Sequence, residues 1–214
     1  MATVVRNLTF RCKDLGKTTS ILLAFDDKMD GIYKTYFPVV WKVSTFKDKG
    51  PYSMSVSYSN DLAFAKAQVA NGNLISASTY SKLKPGQQTT LTMGDDSLFS
   101  FSEPVAGTPG LLKATNKTGL IQEIAVGFFN PLDTFKPFPA LYFKQVGDNS
   151  HVMAKWKPVL RVYLESEYQE SSVLVGAIDT DAIWSQDLHA LSQNTVWDLT
   201  WDAATGHYTL TQGV

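Results

Sequence analysis

Apolar and polar residues alternate with a period of two along much of the chain. In Tyr52-Ser53-Met54-Ser55-Val56-Ser57-Tyr58-Ser59 every second residue is large and apolar or aromatic, and the others are serine. A strand points successive side chains to opposite faces, so this segment is predicted to have one buried and one wet face; a helix would spread the same residues round its circumference. The period recurs in Thr3 to Phe10, Val39 to Phe46, Leu98 to Phe101, Val159 to Glu165 and Val196 to Trp201. Ile121 to Phe129 and Val173 to Ile178 are more continuously apolar, which predicts strands covered on both faces.

Turn residues separate these runs. Asn71-Gly72-Asn73, Gly94-Asp95-Asp96-Ser97 and Gly147-Asp148-Asn149-Ser150 carry glycine and asparagine, which tolerate the positive φ of tight turns. Thr195–Trp201 and His207–Thr211, either side of Asp202-Ala203-Ala204-Thr205-Gly206, predict a last hairpin. Phe129 to Pro139 contains three prolines and reads as a surface crossing, not a central strand. One stretch breaks the period: between Asp181 and Leu191, residues Ile183, Trp184, Asp187, Leu188 and Leu191 fall at helical spacing, with Thr180 or Asp181 placed to cap a first turn. The spacing of about a dozen strands predicts an all-β fold. The expectation is a two-sheet antiparallel β-sandwich with one short helix near the C-terminus, residues 1–214 forming a single domain.

Charge narrows the function. Nineteen Lys and Arg face 20 Asp and Glu, for a formal net charge of -1, and no basic run is long enough to supply the phosphate contacts that nucleic-acid binding needs. The single cysteine, Cys12, has no internal disulfide partner. Neither a secretory apolar core nor a run of roughly 18 apolar residues is present, which predicts a cytoplasmic protein without a transmembrane segment. No phosphate-binding loop, dinucleotide fingerprint, zincin helix or nucleophile elbow occurs. His151, His189 and His207 are widely separated. Asp26, Asp30 and Gly31 match three positions of a calcium loop, but Lys28 and Phe37 fall where ligands belong. Glu165 and Glu167 share a strand face without anything to locate a substrate. This set predicts a protein that is not an enzyme.

Two constellations remain as binding candidates. Trp197 and Trp201 share a strand face, and Trp184 lies on the predicted helix near the same end of the chain. Covered by that helix, the three rings would line a pocket for a flat apolar ligand, with Gln186 among the polar groups that orient it; ordinary core packing explains the same rings. Asp179 and Asp181, two residues apart, suit a shared hard cation, and helix capping explains them equally.

Three runs carry a resemblance: Tyr36-Phe37-Pro38-Val39-Val40-Trp41-Lys42-Val43, Thr118 to Phe128, and Tyr168-Gln169-Glu170 leading to Gly176-Ala177-Ile178-Asp179-Thr180. They resemble a family of basidiomycete (mushroom) proteins that includes the pink chromoprotein of oyster-type mushrooms, over nearly the whole chain. The resemblance implies an all-β protein holding a small aromatic, indole-derived pigment without covalent attachment, with room for a divalent metal. It assigns no ligand residues. The leading expectation is therefore a small-molecule binding protein, a chromoprotein. The alternative is a fungal carbohydrate-binding or membrane-attacking defence protein. Homo-oligomerisation stays open.

Overall fold

A computed structural model describes residues 3–165 and 167–213. Eighteen strands occur among the described residues: β1 (Val5–Cys12), β2 (Thr19–Ala24), β3 (Phe37–Pro38), β4 (Lys42–Phe46), β5 (Tyr52–Ser59), β6 (Leu62–Ala70), β7 (Leu74–Leu83), β8 (Gln87–Met93), β9 (Phe99–Phe101), β10 (Val105–Ala106), β11 (Leu112–Lys117), β12 (Gln122–Asn130), β13 (Asp133–Val146), β14 (His151–Ala154), β15 (Val159–Leu164), β16 (Trp184–Asp187), β17 (Asn194–Trp201) and β18 (Tyr208–Gln212). A single 3₁₀ turn, Leu188–Ala190, is the helical element among them.

The strands form four sheets, in the orders β5-β1-β17-β18, β4-β2-β15-β16, β3-β13-β12-β6-β7 and β10-β8-β11-β14, with β9 also on β8. Neighbours run antiparallel except β1 beside β17 and β8 beside β11. All four sheets bury apolar faces in one continuous core, which takes in Phe10, Leu23, Phe64, Leu91, Val126 and Leu160. Alternation reports that a strand has a buried face but not which strand covers it. It therefore predicts the strands of this core without distinguishing four short sheets from two longer ones.

Local predictions mostly hold. In β5, Met54, Val56 and Tyr58 are buried and Ser53 and Ser55 are exposed. Asn71 and Gly72, at φ of 51° and 80°, make the tight β6–β7 hairpin turn. The last hairpin, β17–β18, is also present.

Three predictions fail for identifiable reasons. The helix over Asp181 to Leu191 does not form. Trp184–Asp187 instead pairs antiparallel with Val159–Val162, and the Asp187 carboxylate accepts from the His189 backbone N–H at 2.9 Å to cap the short 3₁₀ turn. A helix that short is marginal alone, and an open strand edge on β15 offers it backbone partners instead. Phe129 to Pro139 is not a crossing but the β12–β13 hairpin. Its prolines are accommodated because β3 flanks β13 only at Leu141 and Tyr142, and the β12–β13 register is broken by bulges. At one of these, Gly127 lies so close to the Phe138 carbonyl that a Cβ would overlap it. Val173 to Ile178 is not a strand. Ser172 and Val173 make isolated bridges to Leu74 and Val39, and Val175 is exposed.

Candidate functional site

The three tryptophans singled out in the sequence line neither of the two cavities described below. Trp184 on β16 and Trp197 on β17 do meet, with ring centroids 4.8 Å apart at 68°, and Phe10 packs edge-on against Trp184. Both indoles are buried in the shared core. Trp201, at the far end of β17, is half-buried beside Tyr208, with the Lys17 ammonium over both rings. Gln186 is half-buried on β16. Asp179 and Asp181 are exposed in the segment before β16. No group of three or more His, Cys, Asp or Glu close enough to hold a metal occurs among the described residues; two carboxylates supply only part of the roughly 6–8 oxygens of a calcium shell.

A second aromatic group, which no local pattern announces, lies where the sheets converge. Phe25 follows β2, Trp41 precedes β4, Tyr58 ends the alternation of β5, Phe128 is on β12, Phe138 on β13, and Trp156 follows β14. Phe128 is fully buried and touches five of these rings, with centroids 5.3 Å from Phe25 and Trp41, 5.0 Å from Tyr58, 5.6 Å from Phe138 and 6.0 Å from Trp156. The Trp156 indole N–H donates to the Tyr58 hydroxyl at 3.1 Å. Burial pushes the Tyr58 phenol far above its ordinary pKa, so this hydroxyl stays neutral.

Two of these rings, Trp41 and Phe138, are half-buried and line a groove of about 480 Å³. Ser55, Val56 and Ser57 of β5, Ile75, Ser76 and Ala77 of β7, and residues of the β12–β13 hairpin from Asn130 to Pro139 complete its walls, with Glu170 and Ser171. β5 and β7 are edge strands, and the first half of β13 is paired on one side only. Such edges present backbone groups that no neighbouring strand satisfies. Alternation on β5 supplies Ser55 and Ser57. At the rim, the Lys42 ammonium lies 2.7 Å from Glu170, and the Asp133 carboxylate accepts from the Phe135 backbone N–H at 3.2 Å. Leu132 and Phe135 stand exposed at the hairpin tip. Sequence reasoning missed this groove because its walls come from five segments. The one local signal was the prolines Pro137 and Pro139, which fit the first half of β13 being paired on one side only.

A buried polar arrangement lies next to the aromatic cluster. Asp26, directly after Phe25, is almost wholly buried. Its Oδ2 accepts from the Tyr163 hydroxyl at 2.6 Å and the Tyr33 hydroxyl at 3.3 Å; Oδ1 has no hydrogen-bond partner among the described residues, and an Arg161 guanidinium nitrogen is 3.9 Å away. Burial raises the Asp26 pKa above the usual carboxylate range, against the lowering effects of Tyr163, Arg161 and Tyr33.

No protein-family model matches the chain, and no curated protein or solved structure matches it significantly. Among the described residues no helix is long and apolar enough to cross a membrane.

Proposed function

We propose that the protein is a non-enzymatic binding protein that holds a small flat aromatic molecule non-covalently in the groove over Trp41 and Phe138. It is a chromoprotein if that molecule is the indole-derived pigment implied by the mushroom-family resemblance. One observation carries the reading: two half-buried aromatic side chains face a cavity of about 480 Å³ while both rest on fully buried Phe128. Rings fixed from below lose little freedom when a ligand stacks on them, and a ring pair contributes about 0.5–1.5 kcal/mol beyond area burial. The volume falls within the roughly 300–1,000 Å³ of small-molecule sites, and Ser55, Ser57 and Asn130 supply the few polar groups that orient a ligand. No metal is required by this reading.

The test is native mass spectrometry and an absorption spectrum of protein purified from its natural source. The expected result is a bound small molecule with an absorption band beyond that of the protein's own rings, both lost in Trp41→Leu. Protein at its bare mass with no such band sinks the reading.

The polar share of the groove favours a second reading. Ser55, Ser57, Ser76, Asn130 and Asp133 offer hydroxyl, amide and carboxylate groups beside an exposed aromatic face, which is the chemistry that recognises a carbohydrate. Glycan-array binding that depends on Trp41 would replace the pigment reading with this one. Leu132 and Phe135, 84% and 82% exposed, provide the apolar tip a lipid surface would take, and lysis of red cells is its readout.

A further inference from the structure

Trp156 points into the aromatic cluster, where it contacts Phe25 at 5.3 Å and Phe128 at 6.0 Å and donates to Tyr58. Its two neighbours, Lys155 and Lys157, are left exposed, and both line a small pocket. Lys28, from the turn after β2, lines the same pocket. The pocket measures about 190 Å³ and is closed by Met29, Asp30, Tyr36 and Met153. Asp30 is the one acidic residue in this lining, against three lysines. None of the three lysines pairs with a carboxylate among the described residues. The Tyr36 hydroxyl is already committed to the Asp30 carbonyl at 2.9 Å.

Three lysines from two segments line one cavity, and their ammonium groups are strong donors with no protein acceptor among the described residues. In a chain of net charge -1 this local excess is not a by-product of overall composition. Lysine acts as a compact point charge that suits phosphate and sulfate oxygens. A cavity of about 190 Å³ has room for one tetrahedral anion carrying a small substituent. The apolar flanks of Met29 and Met153 suit such a substituent.

We propose that this pocket binds a tetrahedral oxyanion, phosphate or sulfate, either free or as the ester of a small molecule. The site is separate from the groove over Trp41 and does not depend on what that groove holds.

The test is calorimetric titration of the full chain with inorganic phosphate, sulfate and phenyl phosphate. Saturable binding at one site is expected, weakening by roughly tenfold when salt is raised from about 0.01 M to about 0.15 M, as the screening length shortens. The double variant Lys155→Ala/Lys157→Ala should weaken it at least about tenfold, and Lys28→Ala several-fold from a different segment. Lys47→Ala/Lys49→Ala, on another exposed stretch, should leave it unchanged. Phenyl phosphate binding more tightly than inorganic phosphate identifies an ester as the ligand; equal affinities identify the free ion. The proposal is overturned if no anion gives saturable heat, or if the Lys155/Lys157 and Lys47/Lys49 variants bind alike.

Discussion

Two groups of aromatic rings brace this protein, and they treat their polar atoms differently. In the central group around Phe128, the half-buried Trp156 donates its indole N–H to Tyr58. In the C-terminal group, Trp197 donates to the Thr195 hydroxyl at 3.1 Å, but the buried indole N–H groups of Trp184 and Trp201 have no hydrogen-bond partner among the described residues. An unsatisfied buried donor costs about 1–3 kcal/mol. The central group therefore satisfies its Trp156 donor and presents two rings to a groove, whereas the C-terminal group packs its rings at the cost of two unsatisfied donors. Ring count alone says nothing about a binding site; what matters is whether the rings are held from behind and open in front.

The largest expected effect tests how far the central group is structural. Phe128→Ala removes the ring that the other five share. It should cost about 3–5 kcal/mol, read from urea unfolding. A loss under about 1 kcal/mol would mean that the cluster is only loosely packed, and the rigid floor of the groove would go with it.

At the groove wall, neighbouring residues of β5 separate burial from exposure. Val56→Asp places an unpaired charge at a buried position and should cost about 3 kcal/mol or more. Ser55→Asp, on the exposed side, should cost about 0.5 kcal/mol or less. Equal melting shifts would contradict the observed register.

The same strand shows what was legible in sequence and what was not. Its alternation predicts the burial of Met54, Val56 and Tyr58 because one strand face meets one core. The Asn71-Gly72 turn was legible because backbone conformation there depends on those two residues. The central cluster was not, since Phe25, Trp41, Tyr58, Phe128, Phe138 and Trp156 share no period and meet only when four sheets converge. Asp181 to Leu191 departs from its pattern for a related reason: the spacing of its apolar residues fits a helix, but the edge of β15 decides the outcome.

Exchanging one indole in each group separates ligand binding from packing. Trp197→Leu is expected to cost about 1–3 kcal/mol through lost core contacts while leaving groove binding unchanged. Trp41→Leu should cost about 1 kcal/mol or less, because the ring is half-exposed, and should abolish ligand binding. Thermal melts and native mass spectrometry on both variants check this. The reverse pattern would return the binding site to Trp184, Trp197 and Trp201.

The smallest effects concern pH and have opposite signs in the two regions. Asp26, next to Phe25, has a folded pKa raised chiefly by burial. Its contribution is complete below the unfolded value of about 3.9 and declines as pH rises through the higher folded value. Asp198, next to Trp197, is held below the usual range by its hydrogen bond and ion pair with Arg11. Its contribution is present above about pH 3.9 and is lost as pH falls through the lower folded value. Asp26→Asn keeps an oxygen to accept from Tyr163 and Tyr33 but removes the charge. It should therefore flatten the decline in urea midpoint as pH rises above the unfolded value of about 3.9. Asp198→Asn should lower stability slightly at neutral pH and leave it unchanged at the acid end, the exposed pair being screened by solvent. If Asp26→Asn instead steepened the loss toward neutral pH, the carboxylate would be stabilising in its charged form. The 3.9 Å approach of Arg161 would then outweigh desolvation, and the region beside the aromatic cluster would be braced by an ion pair like that of Arg11 and Asp198.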